Sequence, residues 1–194
     1  MTGMQADAGQ AADEQIMEDD EPGDESAKRV WRGPSARRWA LFGVLAVGVI
    51  VLDQLAKAWV VANLGEGRDA VNVLGEYLRL IHGRNSGILF GMLPQSAGAF
   101  AVVSLVVIAG IMAYHWKAGR GIVTTIALGL LLGGAIGNLL DRVRYGAVVD
   151  WIDMGIGSAR FWTYNIGDAA ITTAIVLIIL MAVLPAIAEW GSGG

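Results

Sequence analysis

Aspartates in apolar surroundings are the residues of this sequence that can do chemistry. Asp150 stands in the apolar stretch 148–152, and Asp168 lies near the start of a long apolar stretch that begins at Ile166. Two facing carboxylates cannot both ionise easily, so they share one proton. The charged carboxylate can then take a proton from water, while the neutral one polarises a carbonyl and stabilises the oxyanion. A carboxylate pair is therefore the best-supported catalytic device in the sequence.

Other catalytic devices have less support. The chain contains no cysteine, which excludes disulfides, thiolate metal sites and a cysteine nucleophile. His82 and His115 are predicted to lie in different connections, on opposite sides of a membrane. We therefore expect neither a Ser–His–Asp triad nor a multi-histidine metal site.

Each polar residue that draws attention also has a purely structural explanation. Asp150 could be a surface aspartate in a turn, whereas Asn165 and Asp168 have the spacing of a helix capping box. Asp53 and Lys57 are four residues apart and share a helix face. They form either a simple internal salt bridge that makes membrane insertion tolerable or one wall of a polar cavity.

A row of glycines precedes a second group of polar residues. Glycine recurs at every fourth position over 129–137, which predicts close helix–helix packing. Such packing would aim Asn138 and Arg142 into a shared space. We expect Asp141 to be a salt-bridge or capping partner, and Asp153 to be solvated.

Four long apolar stretches must position these residues. A helix that crosses ~30 Å of hydrocarbon needs about 20 mostly apolar residues, and such stretches span about 39–64, 97–114, 122–140 and 166–188. With 55% hydrophobic and 16% charged residues, the chain is predicted to be an all-α membrane protein with four transmembrane helices. The connection 69–92 is rich in strand-forming residues, which predicts a small extracytoplasmic β-rich region. An amphipathic interfacial helix is the alternative there.

Charge distribution sets the predicted orientation. Residues 1–27 hold nine acidic side chains and no basic one, and five basic side chains follow in 28–38. We interpret 1–38 as a disordered acidic tail with a basic juxtamembrane segment, and 39–190 as the four-span domain. Because basic segments stay in the cytoplasm, we expect both termini there and the first and third connections outside.

In this topology the polar residues gather near the outer face, whereas the inner portions of the four stretches carry no ionisable residue. Independent salt bridges and caps have no reason to share one side, so the asymmetry indicates a functional site. Its predicted members are Asp53, Lys57, Asn85, Asn138, Arg142, Asp150, Asn165 and Asp168.

Five short motifs occur in order along these elements. They are Asp53-Gln54-x-x-Lys57, Asn85-x-Gly87-x-x-Phe90-Gly91, Gly133-Gly134-x-x-Gly137-Asn138-x-x-Asp141-Arg142, Val148-Val149-Asp150 and Asn165-x-x-Asp168. In order and approximate spacing, these motifs resemble those of lipoprotein signal peptidase, the signal peptidase II family. The resemblance covers residues 38–185.

The resemblance implies a bacterial inner-membrane aspartic endopeptidase with an extracytoplasmic β cradle. Such enzymes cut prolipoproteins just before a diacylglyceryl-modified cysteine, so the implied partners are those precursors and membrane lipid. The resemblance assigns the catalytic pair to Asp150 and Asp168 and implies no metal or organic cofactor. It also implies residues that organise the site or contact the substrate and its lipid, namely Asp53, Lys57, Asn85, Asn138, Arg142 and Asn165.

The chain departs from the family pattern at a few positions. Ile88 and Leu89 replace small residues, Gly167 stands where alanine is usual, and the stretch 162–164 lacks the usual proline. We expect the first change to narrow the substrate path or alter the lipid fit. Two other functions remain alternatives: a small proton-coupled carrier, which the apolar inner portions disfavour, and a non-catalytic lipoprotein-binding relative, which the retained aspartates disfavour.

Overall fold

The computed structural model describes residues 33–67, 70–86, 97–184 and 186–187. Within these residues the helices are α1 (Ala36–Asn63), α2 (Ala97–Ala118), α3 (Ile122–Tyr145) and α4 (Ile166–Val183). The strands are β1 (Ala70–Leu74), β2 (Leu78–Asn85), β3 (Val148–Ile156) and β4 (Ala159–Arg160). All four helices are long and apolar enough to cross a membrane, which confirms the four predicted spans.

Several helix bounds differ from the predicted ones. α2 runs to Ala118, so the prediction that His115 lies in a connection is wrong. α3 continues five residues beyond the predicted end at 140, through Asp141, to Tyr145. It ends because Gly146 adopts a left-handed conformation (φ 70°) and its N–H bonds back to a carbonyl of the last turn. α4 ends at Val183, short of the predicted 188.

The central helix is α3, which packs against α1, α2 and α4. Its predicted glycine row faces α1. A Cβ on Gly133 would lie 2.7 Å from Val49 Cβ, and one on Gly137 would lie 2.7 Å from Asp53 Oδ2. On another side of α3, a Cβ on Gly134 would collide with the carbonyl oxygen of Gly167 in α4. The helices can approach this closely only because these positions lack side chains.

One antiparallel sheet, in the order β1-β2-β3-β4, lies at one end of the bundle. Val149 of β3 packs with Val60 and Leu64 at the end of α1. We call this end of the bundle the sheet end. Strands over 70–74 and 78–85 confirm the predicted β-rich connection, and the alternative of an interfacial helix is wrong there. The remainder of that prediction, residue 69 and residues 87–92, lies outside the described residues. The departures at Ile88 and Leu89 therefore fall outside them too.

The other end of the bundle is apolar and aromatic. Phe42 and Ala46 of α1 pack with Leu128 and Leu132 of α3. His115 is fully buried there and stacks on Phe42 with ring centroids 4.1 Å apart. His82, in contrast, lies at the sheet end, where its Nδ1 is 3.1 Å from the carbonyl oxygen of Leu64. The two histidines therefore lie at opposite ends of α1, as predicted.

Candidate active site

Asp150 is a buried carboxylate on β3. The register of the sheet places it opposite Gly83 of β2, where a Cβ would come 3.1 Å from the Asp150 carbonyl oxygen. Two amides hold its carboxylate: Asn85 Nδ2 donates to Oδ2 at 3.0 Å, and Asn165 Nδ2 donates to Oδ1 at 2.8 Å. The side chain is only 4% exposed, so the interpretation of Asp150 as a surface aspartate is wrong.

Asp168 lies in the first turn of α4 and is only partly buried. Its N–H donates to Asn165 Oδ1 at 2.9 Å, and its Oδ2 accepts from the Asn165 N–H at 3.3 Å. The predicted capping box is therefore present. The same carboxylate also accepts a bond of 2.8 Å from Asn138 Nδ2 of α3. The capping and site interpretations are thus compatible, because the cap fixes the carboxylate that the site uses.

The environment of Asp150 favours its neutral form. Burial, followed by the nearby charge of Asp168, raises the pKa of Asp150 to about 6. The hydrogen bonds from Asn85 and Asn165 and the charge of Lys57 oppose this rise without cancelling it. Asp150 is therefore the member of the pair that we assign the shared proton.

A buried lysine lies behind the pair. Lys57 Nζ contacts Asp53 Oδ2 at 2.7 Å, Asp141 Oδ2 at 2.8 Å and Asn138 Oδ1 at 3.1 Å. The predicted pairing of Asp53 with Lys57 and the predicted salt bridge of Asp141 are both confirmed. Because Asn138 Oδ1 faces the ammonium, its Nδ2 is directed to Asp168. A flipped amide would set its NH₂ group against the Lys57 ammonium and its oxygen against the Asp168 carboxylate.

Arg142 lies one turn beyond Asn138 on α3. Its Nη1 donates to the Asn138 carbonyl oxygen at 3.2 Å, and its guanidinium carbon lies 5.8 Å from the centre of the Phe100 ring of α2. The attraction between a cation and an aromatic face contributes about 0.5–2 kcal/mol. Arg142 therefore links α2 and α3 at the sheet end, and it shares this region with Asn138, as predicted.

Gln54 is a polar residue of the site that was not among the predicted members. Gln54 Nε2 donates to Asp141 Oδ1 at 2.9 Å and to the Gly137 carbonyl oxygen at 3.2 Å, while its Oε1 accepts from Arg144 at 2.8 Å. The only sequence signal for it was its position between Asp53 and Lys57 in the first motif. Gln54 thus links α1 to α3 through three contacts on α3.

The prediction that Asp153 is solvated is wrong. Its side chain is buried, with Arg79 of β2 at 2.6 Å and Arg160 of β4 at 3.0 Å from Oδ2. Burial alone would raise the pKa of Asp153, but the hydrogen bonds from Arg160 and Arg79 outweigh it and lower the pKa. Asp153 holds three strands of the sheet together and does not contact the pair.

A cleft of about 600 Å³ gives access to Asp168 from the side of α4. Its walls are mostly apolar and aromatic and come from β3, the segment before α4, and one face of α4. The lining residues are Met154, Gly155, Phe161, Tyr164, Asp168, Ala169, Thr172 and Thr173. In the described part of the chain, no three His, Asp or Glu side chains converge as metal ligands. The chemistry available here is acid–base catalysis by two carboxylates beside an apolar cleft.

Four helices that can cross a membrane, with one buried aspartate and a second that faces an apolar cleft, fit the class of membrane-embedded aspartic peptidases. A family model described as signal peptidase (SPase) II matches residues 45–184, and the chain belongs to this family. It is 34% identical to the lipoprotein signal peptidase of Syntrophomonas wolfei over 137 residues, which are 70% of this chain and 88% of that protein. It is 38% identical to that of Caulobacter vibrioides over 149 residues, 73% of this chain and 85% of the other.

Solved structures agree with the sequence relatives. A bacterial membrane enzyme superposes with a TM-score of 0.69 and 31% sequence identity. The match covers 75% of this chain and 93% of that one. The bundle with its sheet is therefore a fold that this chain shares with a solved bacterial membrane enzyme.

Proposed function

We propose that this protein removes signal peptides from prolipoproteins upstream of a diacylglyceryl-modified cysteine, with Asp150 and Asp168 as its catalytic pair. The observation that carries the proposal is the shared amide of Asn165, which bonds to both aspartates. This link joins β3 to α4, so that one carboxylate is buried and the other faces an apolar cleft. A lipid-modified precursor held in a membrane suits such a cleft, because its signal peptide and acyl chains are apolar.

The chemistry assigns different roles to the two aspartates. The Asp168 carboxylate takes a proton from water as the water oxygen attacks the scissile carbonyl carbon. Neutral Asp150 gives its proton to the carbonyl oxygen and stabilises the tetrahedral intermediate. When the carbon–nitrogen bond breaks, the leaving amine takes the proton from Asp168, and the intermediate hydroxyl returns its proton to Asp150. The pair ends in its starting protonation state.

Six further residues organise this site in the proposal. Asn85 and Asn165 hold Asp150, and Asn138 holds Asp168. Lys57 pairs with Asp53 and bonds to Asn138, and Asp53 accepts the N–H of Gly167 beside Asp168. Arg142 provides a half-buried cation near the pair that is suited to orient a substrate carbonyl.

We also propose the orientation that the basic segment predicts. Both termini lie in the cytoplasm, and the sheet end faces the outside of the bacterial inner membrane. The acidic and basic segment 1–38 then precedes a peptidase domain of about 39–190. The sheet would then lie against the outer surface of the inner membrane, where the exposed aromatic rings of Phe161 and Trp162 suit the membrane–water interface.

Cleavage of a diacylglyceryl-modified precursor by purified enzyme in detergent tests the function. The wild type should shorten the precursor, while Asp150→Asn and Asp168→Asn should each lose at least about 1,000-fold in rate, since each removes an essential acid or base. Glu66→Gln is a matched control, because it also neutralises a carboxylate at the sheet end, but an exposed one whose ion pair within the described residues is with Arg84 at 3.6 Å. A wild type that never cuts the precursor would favour the non-catalytic alternative. Near-normal cleavage by both aspartate variants would overturn the assignment of the pair.

A further inference from the structure

Two carboxylates of the site hold the backbone immediately before the proposed catalytic pair. Asp141 Oδ2 accepts a bond of 3.1 Å from the N–H of Val149, the residue before Asp150. Asp53 Oδ1 accepts a bond of 2.9 Å from the N–H of Gly167, the residue before Asp168. Both contacts are buried. The first joins the consecutive elements α3 and β3, and the second joins α1 to α4.

One ammonium group joins these two carboxylates. Lys57 Nζ lies 2.7 Å from Asp53 Oδ2 and 2.8 Å from Asp141 Oδ2, and its third partner is Asn138 Oδ1 at 3.1 Å. An ammonium has three donors, so all of them are used here. Lys57 is 2% exposed and both aspartates are 0% exposed, so all three groups are shielded from bulk solvent.

From this arrangement we infer that Lys57, Asp53 and Asp141 form a clamp that sets the separation of the two catalytic carboxylates. The Lys57 clamp, as we call these three residues, fixes β3 through Val149 and α4 through Gly167. Asp53 and Asp141 are therefore positioning residues, since they touch neither the substrate nor the reacting atoms. The inference rests on the proposed function, because it needs Asp150 and Asp168 to act as a pair.

The clamp treats its two carboxylates differently, and this difference provides the test. Asp141 uses the same oxygen, Oδ2, for Lys57 and for the Val149 N–H. An asparagine at 141 can present its one carbonyl oxygen to both donors, and it then loses only the bond from Gln54 Nε2, because its NH₂ group replaces Oδ1 there. Asp53 uses Oδ2 for Lys57 but Oδ1 for the Gly167 N–H. An asparagine at 53 must turn its NH₂ group towards one of these donors and lose that contact.

Four variants in the full-length enzyme examine this difference: Asp141→Asn, Asp141→Ala, Asp53→Asn and Asp53→Ala. Misplacing a catalytic group by about 1 Å costs on the order of 100-fold in rate. We expect Asp141→Ala and both Asp53 variants to lose about 100-fold or more in kcat, with KM within about threefold, because the substrate surfaces are untouched. Asp141→Asn should keep kcat within about tenfold of the wild type, since it retains both contacts.

Asp153→Ala is the matched control for loss of a buried, ion-paired aspartate. It removes the carboxylate that pairs with Arg79 and Arg160 and should lower the melting temperature. It breaks no contact to Val149 or Gly167. Its folded fraction should therefore retain a kcat within about threefold of the wild type. A loss in Asp153→Ala as large as that in Asp141→Ala would overturn the clamp, because loss of any buried charge would then suffice.

Two other results would also overturn the clamp: a wild-type kcat in Asp141→Ala, or an Asp141→Asn variant as impaired as Asp141→Ala. Either result leaves the proposed function intact if Asp168→Asn remains inactive. A wild type without cleavage would instead remove the proposed function. If the alanine variants do not fold, amide hydrogen exchange in the wild type decides. Strong protection of the Val149 and Gly167 N–H groups supports the clamp, and exchange at the unprotected rate overturns it.

Discussion

Asn165 donates a hydrogen bond of 2.8 Å from its Nδ2 to Asp150 Oδ1. The same side chain begins α4 and accepts the N–H of Asp168 at 2.9 Å. A helix cap and a contact to a proposed catalytic group are thus combined in one buried amide. These two roles use different atoms, so substitution can separate them.

Replacing Asn165 with serine should separate the cap from the contact to Asp150. Serine is a good N-cap and keeps an acceptor for the Asp168 N–H, but it is too short to reach Asp150. Asn165→Ala loses both. We expect both variants to lose about 100-fold in kcat, while only Asn165→Ala loses the additional ~1 kcal/mol of helix capping. Rates and melting temperatures check this, and wild-type turnover in Asn165→Ser would contradict it.

The dependence of cleavage on pH should follow Asp150. The proposed role requires neutral Asp150, whose pKa is raised to about 6, first by burial and then by Asp168. We expect kcat/KM to fall as pH rises through that value, because it reports ionisation in the free enzyme. The Asn85 hydrogen bond lowers this pKa, so Asn85→Ala should move the falling limb to higher pH. A pH profile of both proteins with one lipopeptide substrate is the measurement, and an unmoved limb would argue against Asp150 as the acid.

Asp150→Asn should be more stable than the wild type at neutral pH. A carboxyl whose pKa is raised from 3.8 in the unfolded chain to about 6 in the folded protein binds more protons when folded. Its ionisation therefore destabilises the folded state, fully above about pH 6 and progressively less below it. Removal of this cost should raise the free energy of unfolding by at most about 3 kcal/mol. Loss of one hydrogen bond, from either Asn85 or Asn165, reduces this gain, because the NH₂ group of an asparagine cannot accept it.

Thermal unfolding of Asp150→Asn and the wild type in one detergent, at neutral and acidic pH, tests this. The difference in melting temperature should shrink as the pH falls. An Asp150→Asn protein that is less stable than the wild type at neutral pH would show that ionised Asp150 does not destabilise the folded protein.

The contact between Gly134 and Gly167 should tolerate a methyl group on one side only. A Cβ on Gly134 would collide with the Gly167 carbonyl oxygen and lie 2.8 Å from Ile171 Cγ1. A Cβ on Gly167 would lie 3.1 to 3.3 Å from three oxygens, those of Asn165 Oδ1, the Gly134 carbonyl and Asn138 Oδ1. These atoms need shift by only a few tenths of an ångström.

We therefore expect Gly134→Ala to lose about 1–3 kcal/mol of stability through overpacking and most of its activity. Gly167→Ala should remain folded and active, because alanine regains about 1 kcal/mol of helix propensity that offsets the crowding. Melting temperature and turnover of the two variants provide the comparison. Equal effects would mean that the two helices are not in the close contact described.

The parts of the site that local spacing controls were predictable. Asp53 and Lys57 are one helical turn apart, and Asn165 with Asp168 forms a capping box, so each pair follows from its own element. The glycine row likewise predicted the close packing of α3, because its repeat matches one helix face. Four apolar stretches of the required length predicted the bundle itself.

The parts that depend on pairing between distant segments were not predictable in the same way. Asp153 is buried because Arg79 and Arg160 reach it from two other strands, and no local pattern announces that arrangement. Gln54 was missed because its partners, Asp141 and Arg144, lie on another helix. The N–H of Val149 can bond to Asp141, and so help to position Asp150, only when β3 packs against α1 and α3.

The position of Lys57 also has a consequence for how the protein is made. Its first partner, Asp53, lies on the same helix, so the two side chains can enter the membrane together as a neutral ion pair. Its second partner, Asp141, is synthesised about eighty residues later, and Asp168 follows on the last helix. The proposed catalytic pair needs Asp168, so it is complete only after α4 has been synthesised.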